Sequence, residues 1–196
     1  MIRHCLVASG LSVLRVSYWN QIALSLADKE HFSFSKRARL LASLNLAIAD
    51  AAIGCWEAKY TYVFWRPVTA IPLANTDGNP ATIEDLSFTT LLITPNHPEY
   101  PSGHSCVSGA AGEILAKTFG AHKKLTVSSD APEMAGVLRS YKGFAEILQE
   151  IKDARVFAGI HFRSACDDGQ QVGTGVADYV RSNALQRVRG ADDEDN

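Results

Sequence analysis

No stretch of about 18 uninterrupted apolar residues, the usual requirement for a membrane-spanning helix, occurs in this chain of 196 residues. The nearest approach, "LLASLNLAIADAAIGCW" from Leu40, is broken by Asn45 and Asp50, so no membrane span is expected. Close cysteine pairs are missing too. Cys5, Cys55, Cys106 and Cys166 are widely scattered, without the C-x-x-C spacing of zinc or redox sites; free buried thiols are the expectation, and disulfides stay open. Nor is there an excess of charge. The formal net charge of -2 gives no general reason to expect a nucleic acid or an anionic membrane as partner. The N-terminus, "MIRHCLVASGLSVLRVSYWN", has no clean apolar core of the signal-peptide kind. It reads as a weak helix or as the cut edge of a longer protein. Internal repeats and low-complexity segments are absent from the sequence.

What remains is a globular composition, with 46% hydrophobic and 20% charged residues, in a length that suits one domain with a core of its own. Strand signals are sparse and helical periodicity is common, so the expected fold is all-α, a single helical domain over 1–196 with its core in 18–187. The spacing predicts a short helix over 18–28. A long helix then opens at a cap-like Ser35 and is ended by Pro67, which cannot donate and crowds the preceding turn. Val68 to Tyr100 is rich in turn formers, including "NTDGNP" and "TPNHPEYP". A connection of that length often carries function. Helices over about 103–119, 132–160 and 168–187 follow, and the acidic tail, 190–196, is expected to fray.

Three separated blocks, 56–67, 97–104 and 155–161, hold cations or histidines. In "KYTYVFWRP", Lys59 and Arg66 are seven residues apart; on one helix they project within about 20° of each other and about 10 Å apart along the axis. Trp56 and Val63 share that stripe, so both cations sit on an apolar face, where an unpaired charge is costly and a bound anion would offset it. Snorkelling to the surface is the alternative. In "EYPSGHSC", the Ser102 hydroxyl, the Gly103 N–H and the His104 imidazole meet at a helix start, a natural seat for an anion. A plain serine cap followed by a solvated histidine is the competing interpretation. In "ARVFAGIHF", Arg155 and His161 point about 120° apart on an ideal helix. One anion reaches both only at the helix's end, or if Gly159 lets the backbone deform. Three cations and two imidazoles suit a tetrahedral oxyanion better than a metal cation, which would want clustered carboxylates or thiolates.

K-x6-R-P, P-S-G-H and R-x5-H, in that order, resemble the superfamily shared by vanadium-dependent haloperoxidases and type 2 acid and phosphatidic acid phosphatases. The flanking "WNQIA" and "HFRSACDDGQQVG" look like its soluble haloperoxidase-like branch. The resemblance implies a helical bundle of the haloperoxidase/acid phosphatase type, here short of most of an N-terminal bundle. It also implies that Lys59, Arg66 and Arg155 neutralise the oxygens of vanadate or phosphate while Ser102 and Gly103 hydrogen-bond to it. His161 becomes the vanadium-bound nitrogen of a peroxidase or the nucleophile of a phosphatase. His104 becomes the acid–base residue. One departure stands out: the family usually has an aspartate four residues after this histidine, where this chain has Ala165, with Asp167 and Asp168 following.

Three functions follow from that resemblance. The leading one is a haloperoxidase that uses vanadate, hydrogen peroxide, a halide and a small organic acceptor. Trp56 and His97 stand where such enzymes place residues near the halide, and a histidine there goes with bromide or iodide. The second is a soluble phosphomonoesterase acting on a phosphate ester in the same pocket. The third is a truncated, non-catalytic anion-binding domain. Homo-oligomerisation stays open, and the family's habit is export.

Overall fold

The computed structural model describes residues 16–128 and 137–186. Cys5, the N-terminal segment before Val16 and the acidic tail lie outside them. The first helix, α1, is Val16–Lys29, slightly longer than the periodicity predicts. Next, α2 is Phe34–Tyr62, capped by Ser33, whose side chain accepts the Lys36 N–H. The cap therefore sits two residues before the expected Ser35.

Pro67 does not end α2, which stops earlier. Val63 turns left-handed at φ 45°, its N–H closing on the Lys59 carbonyl. The proline instead holds Arg66 extended and occupies the first position of a one-turn helix, α3, Pro67–Ala70. Both effects are ordinary for proline, which bars the helical conformation to its predecessor and is pre-set for a helix start. Lys59 and Arg66 thus belong to different elements, and the helical spacing argument for them does not hold.

After a connection with a short 3-10 turn at Ala74–Thr76, α4 spans Gly103–Phe119, as the sequence predicts. The expected helix over 132–160 is replaced in its described part. An antiparallel pair, β1 at Leu125–Ser128 and β2 at Leu138–Tyr141, joins Leu125 to Tyr141 and Ser128 to Leu138. Only then does α5 run, Phe144–Phe157. The last helix, α6, is Arg163–Asn183 and begins five residues before the expected 168.

The hydrophobic core lies around α4, which packs against α2, α5 and α6. Leu44, Ile114, Leu115, Phe144 and Ile147 are among its fully buried side chains. The approach of α4 to α6 is backbone on backbone: a Cβ at Gly173 would stand 2.0 Å from the Cys106 carbonyl oxygen. Cys55, Cys106 and Cys166 are free and buried, as expected. On length and composition alone the stretch Phe34–Ala70, which contains α2, is apolar enough to cross a membrane, although Asn45 and Asp50 interrupt its apolar run. One stripe of α2 is buried through Leu44, Ala47, Ala51 and Cys55, and its continuation ends on a buried cation, Lys59. Ile53, 67% exposed, lies on the outer side.

Candidate functional site

Lys59, on the last turn of α2, has no exposed surface. Its ammonium donates to the carbonyls of Pro98 (2.9 Å), Glu99 (3.1 Å) and Pro101 (2.5 Å). Three donors meet three acceptors, so the lysine ties down the loop that enters α4. Burial lowers its pKa to about 8.

Arg66 performs a similar task between two other segments. Its guanidinium donates to the Ile160 carbonyl through Nη1 at 2.7 Å and to the His97 carbonyl through Nε at 3.2 Å. Nη1 also lies 3.2 Å from Nε2 of His161, and Nη2 lies 3.1 Å from Nδ1 of His97. The structure thereby brings Arg66, His97 and His161 together from three separate stretches of chain.

Ser102 is the N-cap of α4, its Oγ accepting the Ser105 N–H at 3.4 Å, and its own N–H donates to the Ala165 carbonyl at 2.9 Å. Gly103 and His104 form the start of that helix, where the dipole and spare N–H groups favour an anion. Gly103 also lies under the indole of Trp56, which a Cβ would meet at 3.1 Å. The Trp56 ring stands 5.4 Å from the His97 ring, so these two residues share one wall.

Arg155, the basic residue of the last turn of α5, is 4% exposed. Among the described residues its Nε and Nη1 have no hydrogen-bond partner. Burial lowers its pKa to about 10. Beyond Phe157 the helix stops and Gly159 takes a left-handed φ of 73°, a conformation that glycine accepts at little cost. Of the two arrangements open to the sequence, the backbone turn at Gly159 is present. It lets His161 turn back toward the cations although it lies six residues after Arg155.

His161 is almost fully buried, and its Nδ1 lies 2.7 Å from Oε1 of Glu99. The same oxygen accepts the Phe162 N–H at 2.9 Å. Burial holds the imidazole well below its usual pKa, and Arg66, Arg155, Lys59 and His104 act in the same direction. Burial pushes the Glu99 carboxyl up to about 7, against the Phe162 N–H, Arg66 and Lys59. The Glu99 contact thus involves a neutral ring.

Asp167 and Asp168, the carboxylates nearest in sequence to the Ala165 departure, are engaged elsewhere. Asp167 pairs with Lys152 at 2.8 Å, and Asp168 accepts from the Tyr100 hydroxyl at 2.9 Å. Glu99 is the residue that the sequence argument missed. Its signal was available in "HPEYPSGH", a carboxylate in a turn-rich segment next to the motif, but nothing local says that it is buried.

The donor set fits a tetrahedral oxyanion. Among the described residues it offers two unpartnered buried guanidinium nitrogens, a serine hydroxyl, a helix start and a neutral imidazole, and no group of three or more His, Cys, Asp or Glu side chains able to hold a metal cation.

Comparison with known proteins identifies relatives of this chain. The family described as the VCPO second helical-bundle domain matches residues 39–190, which include the whole cluster. The vanadium chloroperoxidase of Curvularia inaequalis is 30% identical over 117 residues, covering 54% of this chain and 18% of that protein. A solved structure described as the first bacterial vanadium-dependent iodoperoxidase superposes with a TM-score of 0.77 at 30% identity, over 91% of this chain and 43% of that one. An apo-type bacterial vanadium-dependent chloroperoxidase superposes at 0.73 with 16% identity, over 92% and 44%, and shows the fold alone. The chain spans less than half the length of these solved structures. Matched over most of its length, the chain belongs to the VCPO second helical-bundle domain family.

Proposed function

We propose that this bundle holds vanadate and, with it, oxidises bromide or iodide by hydrogen peroxide. One observation carries the reading: among the described residues Arg155 keeps two buried donors without a hydrogen-bond partner, close enough to the buried His161 to help hold that imidazole neutral. Leaving such donors buried and unpaired costs about 1–3 kcal/mol each, a cost that an oxyanion would remove. Arg155, the Ser102 hydroxyl and the Gly103 N–H supply hydrogen bonds to its oxygens. Lys59 and Arg66 supply charge and hold the walls. His161 supplies the nitrogen that binds vanadium, and His104, on the first turn of α4, handles the proton. Trp56 and His97 form the wall against which the halide sits. Held by these residues, vanadate would supply Lewis-acid activation of hydrogen peroxide toward the halide.

The Glu99–His161 hydrogen bond favours a second reading, hydrolysis of a phosphate ester through a phosphohistidine, because it provides the carboxylate partner that Ala165 does not. Purified protein loaded with orthovanadate, given peroxide, bromide and an organic halogen acceptor, tests the first reading; apo-protein with a chromogenic phosphate ester tests the second. Bromination lost in His161→Ala, with negligible ester hydrolysis, is the expected result. Ester hydrolysis inhibited by vanadate, without bromination, overturns it in favour of the phosphatase. Vanadate binding without either activity makes the chain a non-catalytic oxyanion-binding bundle.

A further inference from the structure

His161 needs its ring held in one tautomer if Nε2 is to bond to vanadium or phosphorus. An imidazole in water exchanges its proton between two nitrogens, and only the nitrogen without the proton offers a lone pair. The groups around the two nitrogens of His161 differ in kind. Nε2 faces Arg66 Nη1 at 3.2 Å, and a guanidinium has donors only. Nδ1 faces Glu99 Oε1 at 2.7 Å, an oxygen already used as an acceptor by the Phe162 N–H. A proton on Nε2 would confront a donor and leave Nδ1 without one to give. A proton on Nδ1 satisfies both ends.

We propose that Glu99 is the positioning residue of the oxyanion site: its carboxyl oxygen fixes His161 as the Nδ1–H tautomer and thereby puts the ring's lone pair on Nε2, the nitrogen assigned to the oxyanion. This deepens the oxyanion reading and rests on it. Glu99 is 1% exposed and 62 residues before His161, so it comes from the segment preceding Ser102, not from α6. Lys59 holds the Glu99 carbonyl and both flanking stretches of the loop, so the carboxylate sits on a clamped backbone. Its second contact, to the Phe162 N–H, places it at the start of α6, whose dipole favours an anion there. One carboxylate therefore orients the ring and anchors the turn that carries it. The Ala165 position is free to do something else, and its carbonyl accepts the Ser102 N–H.

Two measurements separate orientation from mere anchoring. In 15N-labelled apo-protein at neutral pH, long-range proton–nitrogen correlation of His161 is expected to show a pyrrole-like Nδ1 and a pyridine-like Nε2. A ring protonated on Nε2, or an even mixture of tautomers, overturns the proposal in the wild-type protein alone. In Glu99→Met the single tautomer is expected to be lost. In Glu99→Gln, whose amide oxygen still accepts, it is expected to survive. Orthovanadate affinity, read by titration calorimetry, is expected to fall roughly 10- to 100-fold in Glu99→Met, the usual effect of losing a partner behind a metal-ligating histidine, and less in Glu99→Gln. Wild-type nitrogen shifts retained in folded Glu99→Met overturn the proposal, whatever its thermal stability. If the wild type binds no orthovanadate, the oxyanion reading fails, while the nitrogen shifts still decide whether Glu99 sets the tautomer.

Discussion

The ammonium of Lys59 lies 2.5 Å from the carbonyl oxygen of Pro101, so a cation from α2 holds the residue that precedes the serine cap of α4. This contact and its two companions spend all three ammonium donors on backbone.

Replacing Lys59 by methionine strands three buried carbonyls. Each unmade hydrogen bond costs about 1–3 kcal/mol, offset in part because a buried charge is no longer desolvated. The expected net loss is about 1–3 kcal/mol, read from urea unfolding, together with weakened vanadate binding. A variant as stable as the wild type, with unchanged binding, would show that the lysine does not organise the loop.

The pH dependence of stability has a determined sign at the same residue. Burial lowers the Lys59 pKa from 10.5 to about 8, so in the alkaline range the unfolded chain holds this proton more tightly than the folded one does. Its contribution to stability is then full above about pH 10.5 and is lost as pH falls through 8. Unfolding free energies of wild type minus Lys59→Met, measured across that window, should rise with pH. A flat difference contradicts the shift.

Arg155→Met separates binding from folding. The wild-type side chain is buried with two nitrogens unpartnered among the described residues, so apo-protein should lose little stability or gain some. Orthovanadate at 100 times its dissociation constant should stabilise the wild type by about 2.7 kcal/mol and the variant far less. An undiminished shift in Arg155→Met would remove Arg155 from the site.

Two glycines of α6 should respond oppositely to alanine. At Gly173 a Cβ would stand 2.0 Å from the Cys106 carbonyl oxygen, whereas at Gly175 it meets nothing within 4 Å. Gly173→Ala should cost at least the 1–3 kcal/mol, roughly, of an overpacked core. Gly175→Ala should be neutral or stabilise by about 0.5–1 kcal/mol. Similar midpoints for the two would mean that α4 and α6 do not pack through backbone.

Much of the helical plan was legible because a helix writes its apolar period into a few adjacent turns. The helix Gly103–Phe119, with its Ser102 cap, follows from the sequence directly. The errors have local causes. Pro67 is as suited to opening a helix as to ending one, and the alternative at 63–66 depends on a left-handed Val63 that valine does not advertise. The pair Leu125–Ser128 and Leu138–Tyr141 is too short to show a period, and its stability comes from pairing across the chain.

By itself the sequence determined the helical class, the order of the three blocks and the chemical types needed for an oxyanion, since these are properties of composition, local period and spacing. Only the tertiary structure decided which donors stay unpaired. It turned Lys59 and Arg66 onto backbone carbonyls, left Arg155 with two nitrogens unpartnered among the described residues, set aside Asp167 and Asp168, and put Glu99 behind His161. The physical reason is that hydrogen-bond partnership in a buried site depends on distances of about 3 Å between atoms, and here those atoms come from segments far apart in the chain.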